Sequence, residues 1–472
     1  MADLDSAIPA IGTRPAPIPI SRYLQDPAMT AVNPSRQERK FIGYDWTFDI
    51  ANNWSLTNRF AYTDIRYFQR ITDFQSVDEI TGLIQRAISN TNIFRGTISS
   101  NLDLKGKFET GPFNHSVLIG TDYFAFDLNA IGVCCSAPLD TPINLFAPVY
   151  SFSGYVKPQN NFFFTDRESW KGVYAQDFIS FADDRLHLLF GGRYDWADTG
   201  FGFSPTSFAE ANGLFNPATG NGFQSAFDRA FSPRLGAVVQ AAPWLSFYGN
   251  YSQSFGATNA IVIPGQPPFP PQKGKQYEGG AKAEFFDKRL TATMAFYDIT
   301  KSNIVQTVPG TMFSRPVGLV ESKGVEFDIA GRINENWSLI GNYSFDDAHV
   351  TKDVTSEQGN RLQNVPFNAG SIWVKYDALG DFRGLSLGGG VVVVGERQGD
   401  NLNSFQLPAY ARVDTAIIYR FQPSFLPGVQ NLTAQLNVKN LFNTTYYLNA
   451  ADGFSIVPGA PRTFIASLRA EF

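Results

Sequence analysis

The last ten residues of the chain, 463–472, read TFIASLRAEF and decide its fold. Even-numbered positions carry Phe, Ala, Leu, Ala and Phe, whereas odd-numbered positions carry Thr, Ile, Ser, Arg and Glu. Because neighbouring side chains of a β-strand point to opposite faces, this alternation predicts a strand with one apolar and one polar face. The residues expected to face outward are Phe464, Ala466, Leu468 and Ala470, and those expected to face inward are Ser467, Arg469 and Glu471.

Similar segments recur along the chain, for example at residues 337–345 and 432–439, and they give about 17 strands. Their connections alternate between two classes. Short turns occur at residues 52–54, 110–114, 183–185, 242–244, 286–289 and 334–337, and long loops at 131–168, 202–224, 259–275 and 351–364. This asymmetry is typical of the periplasmic and extracellular rims of outer-membrane barrels. The sequence therefore predicts an all-β, antiparallel up-and-down barrel that spans a bacterial outer membrane.

The composition agrees with a barrel wall. Aromatic residues make up 15% of the chain and charged residues 17%, and aromatic rings suit the two interface girdles of such a barrel. A Trp or Phe lies beside several short turns, at Trp54, Phe113, Trp244, Phe286 and Trp337. No run of about 18 apolar residues is present, so the sequence offers no transmembrane helix. With a net charge of −5 and no basic cluster, nucleic acid is excluded as an expected partner.

Two segments fit the alternation poorly. Residues 391–394 form a continuous apolar run after Gly388, Gly389 and Gly390, where we expect tight bending or a close approach of the backbone. Residues 172–181 alternate poorly, and the sequence alone gives no reason.

Residues that could support catalysis or metal binding are sparse. The three histidines are His115, His187 and His349, and no G-x-S-x-G motif accompanies them. Cys134 and Cys135 are adjacent, a spacing that fits neither a zinc site nor a CxxC redox motif. We therefore expect no catalytic residue, no metal site and no covalently bound cofactor. Residues 1–10 also lack the basic and apolar regions of a secretory signal peptide.

Several stretches carry a family resemblance. They are FSPRLGAVVQAAPWLSFYGNYSQSF (231–255), KGKQYEGGAKAEFFDKRLTATMAFYDITKSN (273–303), SKGVEFDIAGRINENWSLIGNYSFDDAHVT (322–351), VPFNAGSIWVKY (365–376) and NLTAQLNVKNLFNTTYY (431–447). In this order they resemble the barrel of TonB-dependent siderophore receptors. The opening IPISRYLQDP (18–27) is similar to a loop of the ferrichrome and ferrioxamine type, which implies hydroxamate siderophores.

The resemblance implies a barrel of about 22 strands around a plugged lumen, so the chain is about five strands short. We expect residues 1–36 to be an extracellular loop segment of a truncated amino end and residues 37–472 to be the receptor barrel. Its early strands and plug would be missing. The first and last strands should then run in the same direction, and they should leave a gap or meet in parallel.

The resemblance also implies a function, the uptake of ferric siderophores driven by the TonB complex acting on the plug. Expected further partners are outer-membrane lipids and the machinery that inserts barrels, for which Phe472 would be the assembly signal. Candidate ligand contacts are aromatic loop residues, at Tyr150, Phe152, Tyr155, Tyr446 and Phe454. The alternatives are a passive porin, which accounts for the alternation only, a non-functional barrel fragment, and an outer-membrane hydrolase.

Overall fold

The computed structural model describes residues 7–25, 35–133, 142–150, 160–256, 266, 269–307, 314–353 and 357–472. Seventeen long strands form its main sheet. The first nine are β1 Arg36–Ala51, β2 Trp54–Val77, β3 Leu83–Thr110, β4 Phe113–Val133, β5 Phe162–Phe181, β6 Leu186–Ser204, β7 Gly222–Ala242, β8 Leu245–Gly256 and β9 Gln272–Phe285. The other eight are β10 Leu290–Thr307, β11 Ser314–Arg332, β12 Trp337–Lys352, β13 Asn368–Asp377, β14 Leu385–Val394, β15 Tyr410–Phe421, β16 Asn431–Lys439 and β17 Thr463–Glu471.

Each strand pairs with the next one along the chain. All sixteen of these neighbouring pairs are antiparallel, which is the arrangement of an up-and-down barrel. Strands β2 and β3 are 24 and 28 residues long, whereas about 10 residues suffice to cross a bilayer. These strands therefore project well beyond the membrane on the side of the long loops.

The short turns expected from the sequence are present at one rim. Residues 52 and 53 join β1 to β2, and residues 111 and 112 join β3 to β4. Asn53 has φ of 67° and Gly111 has φ of 60°, values that Asn and Gly adopt more readily than other residues. Long connections lie at the other rim, and one of them holds the short helix α1, Phe208–Ala211. No helix among the described residues is long and apolar enough to cross a membrane.

The predicted register of the last strand is confirmed. Arg469 lies opposite Thr433 on β16, and Glu471 accepts an ion pair from Arg420 of β15 at 2.7 Å, so these residues share the polar face. Phe464 and Leu468 lie on the other, apolar face of the strand, opposite Val438 and Ala434. A charge on the lipid face costs about 2–4 kcal/mol at mid-membrane, which is why this register is the stable one.

Strand β17 meets β1 where the sheet returns on itself. The order around the sheet places the two side by side. However, no residue-by-residue register joins them among the described residues, and all sixteen residues of β1 are exposed. The sheet order closes at β1 and β17, although these two strands share no residue-by-residue register among the described residues.

The expected close approach at the glycines of β14 is confirmed. A Cβ on Gly388 would lie 2.5 Å from Cζ2 of Trp373, and one on Gly390 would lie 2.6 Å from Cε3 of the same ring. The Trp373 side chain thus lies flat across two glycines of the adjacent strand. A side chain at either glycine would displace the ring.

The poor alternation of residues 172–181 also has a physical reason. Asp177 lies on the outward face of β5, where its carboxylate oxygen is 2.7 Å from Nδ1 of His115 on β4. The Nε2 of His115 is 2.7 Å from the Thr110 hydroxyl oxygen. Because a carboxylate only accepts hydrogen bonds, Nδ1–H of His115 donates to Asp177. The hydrogen bond to His115 lowers the cost of a polar residue on this face, although the other carboxylate oxygen of Asp177 is buried without a partner.

Candidate functional site

The inward face of β2 to β6 carries a network of charged side chains. Asp103 on β3 accepts hydrogen bonds from the Tyr174 hydroxyl at 2.5 Å and from the Asn101 amide at 2.7 Å. Its second carboxylate oxygen also lies 3.2 Å from Nη1 of Arg59 on β2. Asp103 is buried, and these partners offset the cost of burying its polar side chain.

Arg193 of β6 extends this network across the next strands. Its Nη1 and Nη2 atoms donate to the two oxygens of Asp122 on β4, at 2.5 and 2.7 Å. Its Nε donates to Asp195 at 2.7 Å. A Cβ on Gly172 of β5 would lie 1.9 Å from Nη2, so only glycine lets the guanidinium cross this strand. The network thus holds five neighbouring strands in register.

A pocket of about 890 Å³ opens beside this network on the luminal side. Its wall combines aromatic rings with arginine donors and carboxylates. The lining includes Phe41, Phe124, Trp170, Arg59, Asp122 and Arg193. Aromatic faces and arginine donors together suit a bulky ligand with an oxygen-rich periphery.

The extracellular mouth is held together by a second apolar core, which we call the loop core. It joins thirteen buried residues from residues 7–25, hereafter the N-terminal segment, from the outer ends of β2 and β3, and from three long connections. They are Ile8, Ala16, Ile18, Leu24, Phe74, Ile84, Ile143, Leu145, Phe405, Leu407, Tyr447, Ala450 and Ile456. The N-terminal segment therefore links loops from both sides of the seam between β17 and β1.

Polar contacts fix the N-terminal segment at both sides of this seam. On the side of β2, the Gln25 side chain bonds both backbone groups of Thr72, at 2.7 and 2.9 Å. On the side of β17, the backbone of Ile8 exchanges hydrogen bonds with that of Ile456, at 2.9 and 3.0 Å. An ion pair between Arg14 and Glu396 at 2.7 Å is exposed and adds little stability.

A carboxyl group next to the loop core, that of Asp73, has altered acidity. Burial raises the pKa of Asp73, which lies near the outer end of β2, to about 6. A hydrogen bond with the Ser89 hydroxyl opposes this shift, and the nearby Asp452 carboxylate adds to it. Asp73 therefore changes charge near neutral pH at the place where the N-terminal segment packs.

The candidate ligand residues occupy different environments. Tyr150 is 43% exposed, and its hydroxyl donates to the Tyr23 carbonyl at 2.6 Å. Phe454 is 37% exposed in the β16–β17 connection. Tyr446 is 4% exposed, so a ligand could reach it only if neighbouring groups moved. Phe152 and Tyr155 lie outside the described residues, and so do Cys134 and Cys135.

Tyr446 belongs to a cluster of tyrosines and arginines above the lumen. Its ring packs 4.8 Å from that of Tyr410, and its hydroxyl accepts from Nη1 of Arg412 at 3.3 Å. Arg412 also bonds Asp414 through Nη2 at 2.9 Å. Nearby, Arg397 is buried and donates to the Tyr447 carbonyl at 2.5 Å, and burial lowers its pKa.

No group of three or more His, Cys, Asp or Glu side chains able to hold a metal ion occurs in the described part of the chain. His187 stacks on Phe178 with ring centroids 5.3 Å apart, and His349 lies 3.6 Å from Asp347. Each of the three histidines thus has a described neighbour, although Nδ1 of His187 is buried without a hydrogen-bond partner.

The luminal network and the N-terminal contacts were not found from the sequence. Period-two alternation places Asp103, Asp122 and Arg193 on the polar face. It does not give the pairing of residues on strands that are some 70 positions apart, since that depends on the length of every intervening loop. The sequence did contain one indication of the network: a glycine among inward polar positions, such as Gly172, leaves room for a side chain from another strand.

Comparison with known proteins agrees with the barrel. Residues 4–441 match the family described as TonB dependent receptor-like, beta-barrel. The metal-pseudopaline receptor CntO of Pseudomonas aeruginosa is 32% identical over 79% of this chain and 51% of its own length. The ferrichrome outer membrane transporter/phage receptor of Escherichia coli is 31% identical over 79% of this chain and 48% of its length. The chain thus spans about half the length of these two relatives.

The siderophore receptor PiuA from Acinetobacter baumannii shares the fold, with a TM-score of 0.83 over 98% of this chain and 69% of that structure. At 21% sequence identity, this likeness concerns the fold alone. The family match covers most of the chain and agrees with the observed strand order. The chain therefore belongs to the TonB-dependent receptor-like β-barrel family, whose members are outer-membrane receptors and transporters rather than enzymes.

Proposed function

We propose that this chain forms the wall of an outer-membrane receptor that takes up ferric siderophores in a TonB-dependent manner. Its family membership, with relatives named as siderophore receptors, carries the proposal. The luminal pocket supports it, because aromatic rings and the guanidinium groups of Arg59 and Arg193 line a space of about 890 Å³. A space of this size suits a metal chelate rather than a single ion.

The hydroxamate class is our proposal for the siderophore. Two relatives support it, the ferrichrome transporter of Escherichia coli and the ferrioxamine B receptor of Salmonella typhimurium, which is 28% identical over 92% of this chain. Hydroxamate complexes present oxygen atoms around the iron, and Arg and Tyr donors recognise such oxygens.

In this proposal the ligand first contacts aromatic residues at the mouth. Tyr150 and Phe454 are exposed there and can offer apolar ring faces. Tyr446 supports the mouth by packing against the ring of Tyr410. We retain Phe152 and Tyr155 as proposed contacts on their position in the sequence.

The coupling of uptake to energy requires the TonB complex. We propose that residues 37–472 act as the receptor barrel and that residues 1–36 belong to an extracellular loop segment. TonB would act on a plug that occupies the lumen. The barrel insertion machinery would recognise the terminal aromatic residue, Phe472, which is 82% exposed just beyond the end of β17.

The test is uptake of radioactive iron from ferrichrome and from ferrioxamine B. The chain, together with any coding sequence that precedes Met1, is expressed in an iron-starved Gram-negative strain without hydroxamate receptors of its own. We expect saturable uptake in the strain with TonB and none in a matched strain without it.

Uptake that is linear in ligand concentration and unchanged without TonB would identify a passive porin instead. Phe454→Ala should raise the half-saturating ligand concentration, with exposed Leu402→Ala as the control at another loop position. Equal behaviour of both variants would remove Phe454 from the proposed site.

A further inference from the structure

The luminal pocket of about 890 Å³ has a floor of small residues and a wall of aromatic rings. Gly43, Ala61 and Ser99 lie directly opposite one another on β1, β2 and β3, and their small side chains leave the floor open. Phe124 and Trp170 continue this row on β4 and β5, so their rings bound the floor on one side. A bulky ligand can therefore fill the space above the small residues while it contacts two aromatic rings.

The next row toward the periplasmic rim carries charged side chains, among them those of Asp45, Arg59 and Asp122. Two of these charges are compensated within the wall. Nη1 of Arg59 lies 3.2 Å from a carboxylate oxygen of Asp103, and Arg193 donates to both oxygens of Asp122. Arg59 and Asp122 therefore hold neighbouring strands together rather than offer an uncompensated charge to a ligand.

Asp45 differs from the other charged residues of this row. It is exposed, and no ion-pair partner is found for it in the described ranges of the chain. Arg59 lies directly opposite Asp45 in the strand register. Its guanidinium nevertheless bonds Asp103, which lies nearer the periplasmic rim on β3. Among the described residues, the Asp45 carboxylate thus lines the pocket without a cation partner.

Carboxylates outnumber cations around the pocket as a whole. Its lining includes the carboxylates of Asp45, Asp122 and Glu168 and two guanidinium groups. Asp103 and Asp195, which bond those guanidinium groups, add two further carboxylates. Among these residues, formal negative charges therefore exceed positive charges by three. The aromatic rings add to the attraction of a positive charge, because the face of a π-system attracts a cation.

We propose that this pocket prefers a positively charged chelate, one with a primary ammonium group on its periphery, over a neutral chelate of the same shape. Asp45 is the residue that determines the preference. Its carboxylate pairs with the ammonium group, while the metal-bearing body of the ligand fills the space bounded by Phe124 and Trp170. This preference rests on the proposed uptake function, to which it adds the charge of the ligand.

The test compares two chelates that differ in charge. Ferrioxamine B carries a protonated primary amine, whereas its N-acetyl derivative has the same iron-binding groups and lacks this charge. The protein, with any coding sequence that precedes Met1, is purified in detergent, and binding is followed by quenching of tryptophan fluorescence, since Trp170 lines the pocket. We expect ferrioxamine B to bind about ten-fold more tightly at low salt, and this ratio to shrink at about 0.5 M salt because salt screens exposed charges.

Two variants of β1 separate the charge of the pocket from the general charge of the lumen. Asp45→Asn keeps the size of the side chain, and it should reduce the ratio to about two-fold without altering the binding of the N-acetyl derivative. The matched control is Asp49→Asn, which removes an exposed carboxylate from the same face of the same strand. Asp49 does not line the pocket, so this variant should keep the ratio of the unmodified protein.

A preference for the ammonium-bearing chelate that Asp45→Asn loses and Asp49→Asn keeps would support the proposal. Equal affinities of the two chelates for the unmodified protein would overturn it and leave the proposed uptake function standing. Equal losses in both variants would also overturn it, because the preference would then follow the net charge of the lumen. If neither chelate binds, the proposed hydroxamate function fails together with the preference. Heat-modifiable migration on gels checks that each variant is folded.

Discussion

The luminal and outward faces of the same strands, β2 to β7, differ in whether their charged side chains form ion pairs. On the luminal face, Arg59 is bonded to a carboxylate on the adjacent strand, and Arg193 to one that lies two strands away. On the outward face, Lys171 and Arg229 have no ion-pair partner in the described structure. Charges paired across the luminal face hold strands in register, whereas most outward side chains of these strands are exposed and apolar.

The largest effect is expected when a charge is placed on each face of one strand, which tests the assignment of the two faces. Ile119 faces outward on β4 and its neighbour Leu118 faces the lumen. We expect Ile119→Arg to lower the free energy of unfolding by about 2–4 kcal/mol, the cost of a lipid-facing cation at mid-membrane. Leu118→Arg should cost less than 1 kcal/mol, roughly the repulsion expected from Lys105 opposite it. Urea unfolding in lipid vesicles measures both, and equal losses would refute the assigned faces.

The next effect concerns the luminal network. Arg193→Met leaves the carboxylates of Asp122 and Asp195 without their main donor. We expect a loss of about 1.5–3 kcal/mol, the range for hydrogen bonds to charged groups, and toward its lower end because the network is partly exposed. Adding Asp122→Asn to Arg193→Met should recover part of the stability, as measured by the same urea unfolding. A double variant that is as unstable as the sum of the two singles would show that they do not interact.

A smaller effect is expected at the outward hydrogen-bond chain of Thr110, His115 and Asp177. Thr110→Val removes only the hydroxyl contact to Nε2 of His115, so we expect a loss of about 1 kcal/mol. Asp177→Asn keeps the shape of the side chain and should cost a similar amount. If Thr110→Val were neutral while Asp177→Asn was strongly destabilising, the carboxylate alone would account for the position of His115.

The smallest effect is local and depends on pH. The pKa of Asp73 is raised from 3.8 to about 6 in the folded chain, so the folded chain binds this proton more tightly than the unfolded chain does. The neutral form of Asp73 therefore favours the packed state of the loops around it. This stabilisation is present at low pH and is lost as pH rises through about 6. We expect hydrogen exchange in the N-terminal segment to be faster at pH 7 than at pH 5, after correction for intrinsic rates. Asp73→Asn should remove this difference, and a difference that persisted in the variant would assign it to another group.

The fold could be predicted from the sequence because alternation is a local property. In β17, every second residue is apolar, and the expected separation of Arg469 from this apolar face is observed. The close approach at Gly388 and Gly390 also had a local signal. By contrast, Asp177 breaks the alternation of β5 because its partner His115 lies on another strand, and no local pattern contains that pairing.

The candidate site was less accessible to sequence reasoning. The apolar residues of the loop core, such as Ile8, Phe74 and Ile456, come from segments far apart in the chain, and none is part of a periodic pattern. Tyr446 was expected as a ligand contact on residue type, yet packing against Tyr410 buries it. Residue type suggests chemistry, but exposure depends on how several loops pack together.

The most direct test of the assigned faces is a spin-label scan of residues 117–124 on β4, one label at a time, in lipid vesicles. Collisions with oxygen report lipid, and collisions with a water-soluble nickel chelate report the aqueous lumen. We predict that labels at Ile119 and Tyr123 collide mainly with oxygen, and that labels at Leu118 and Asp122 collide mainly with the nickel chelate. A scan with no period of two, or with the opposite phase, would contradict the account.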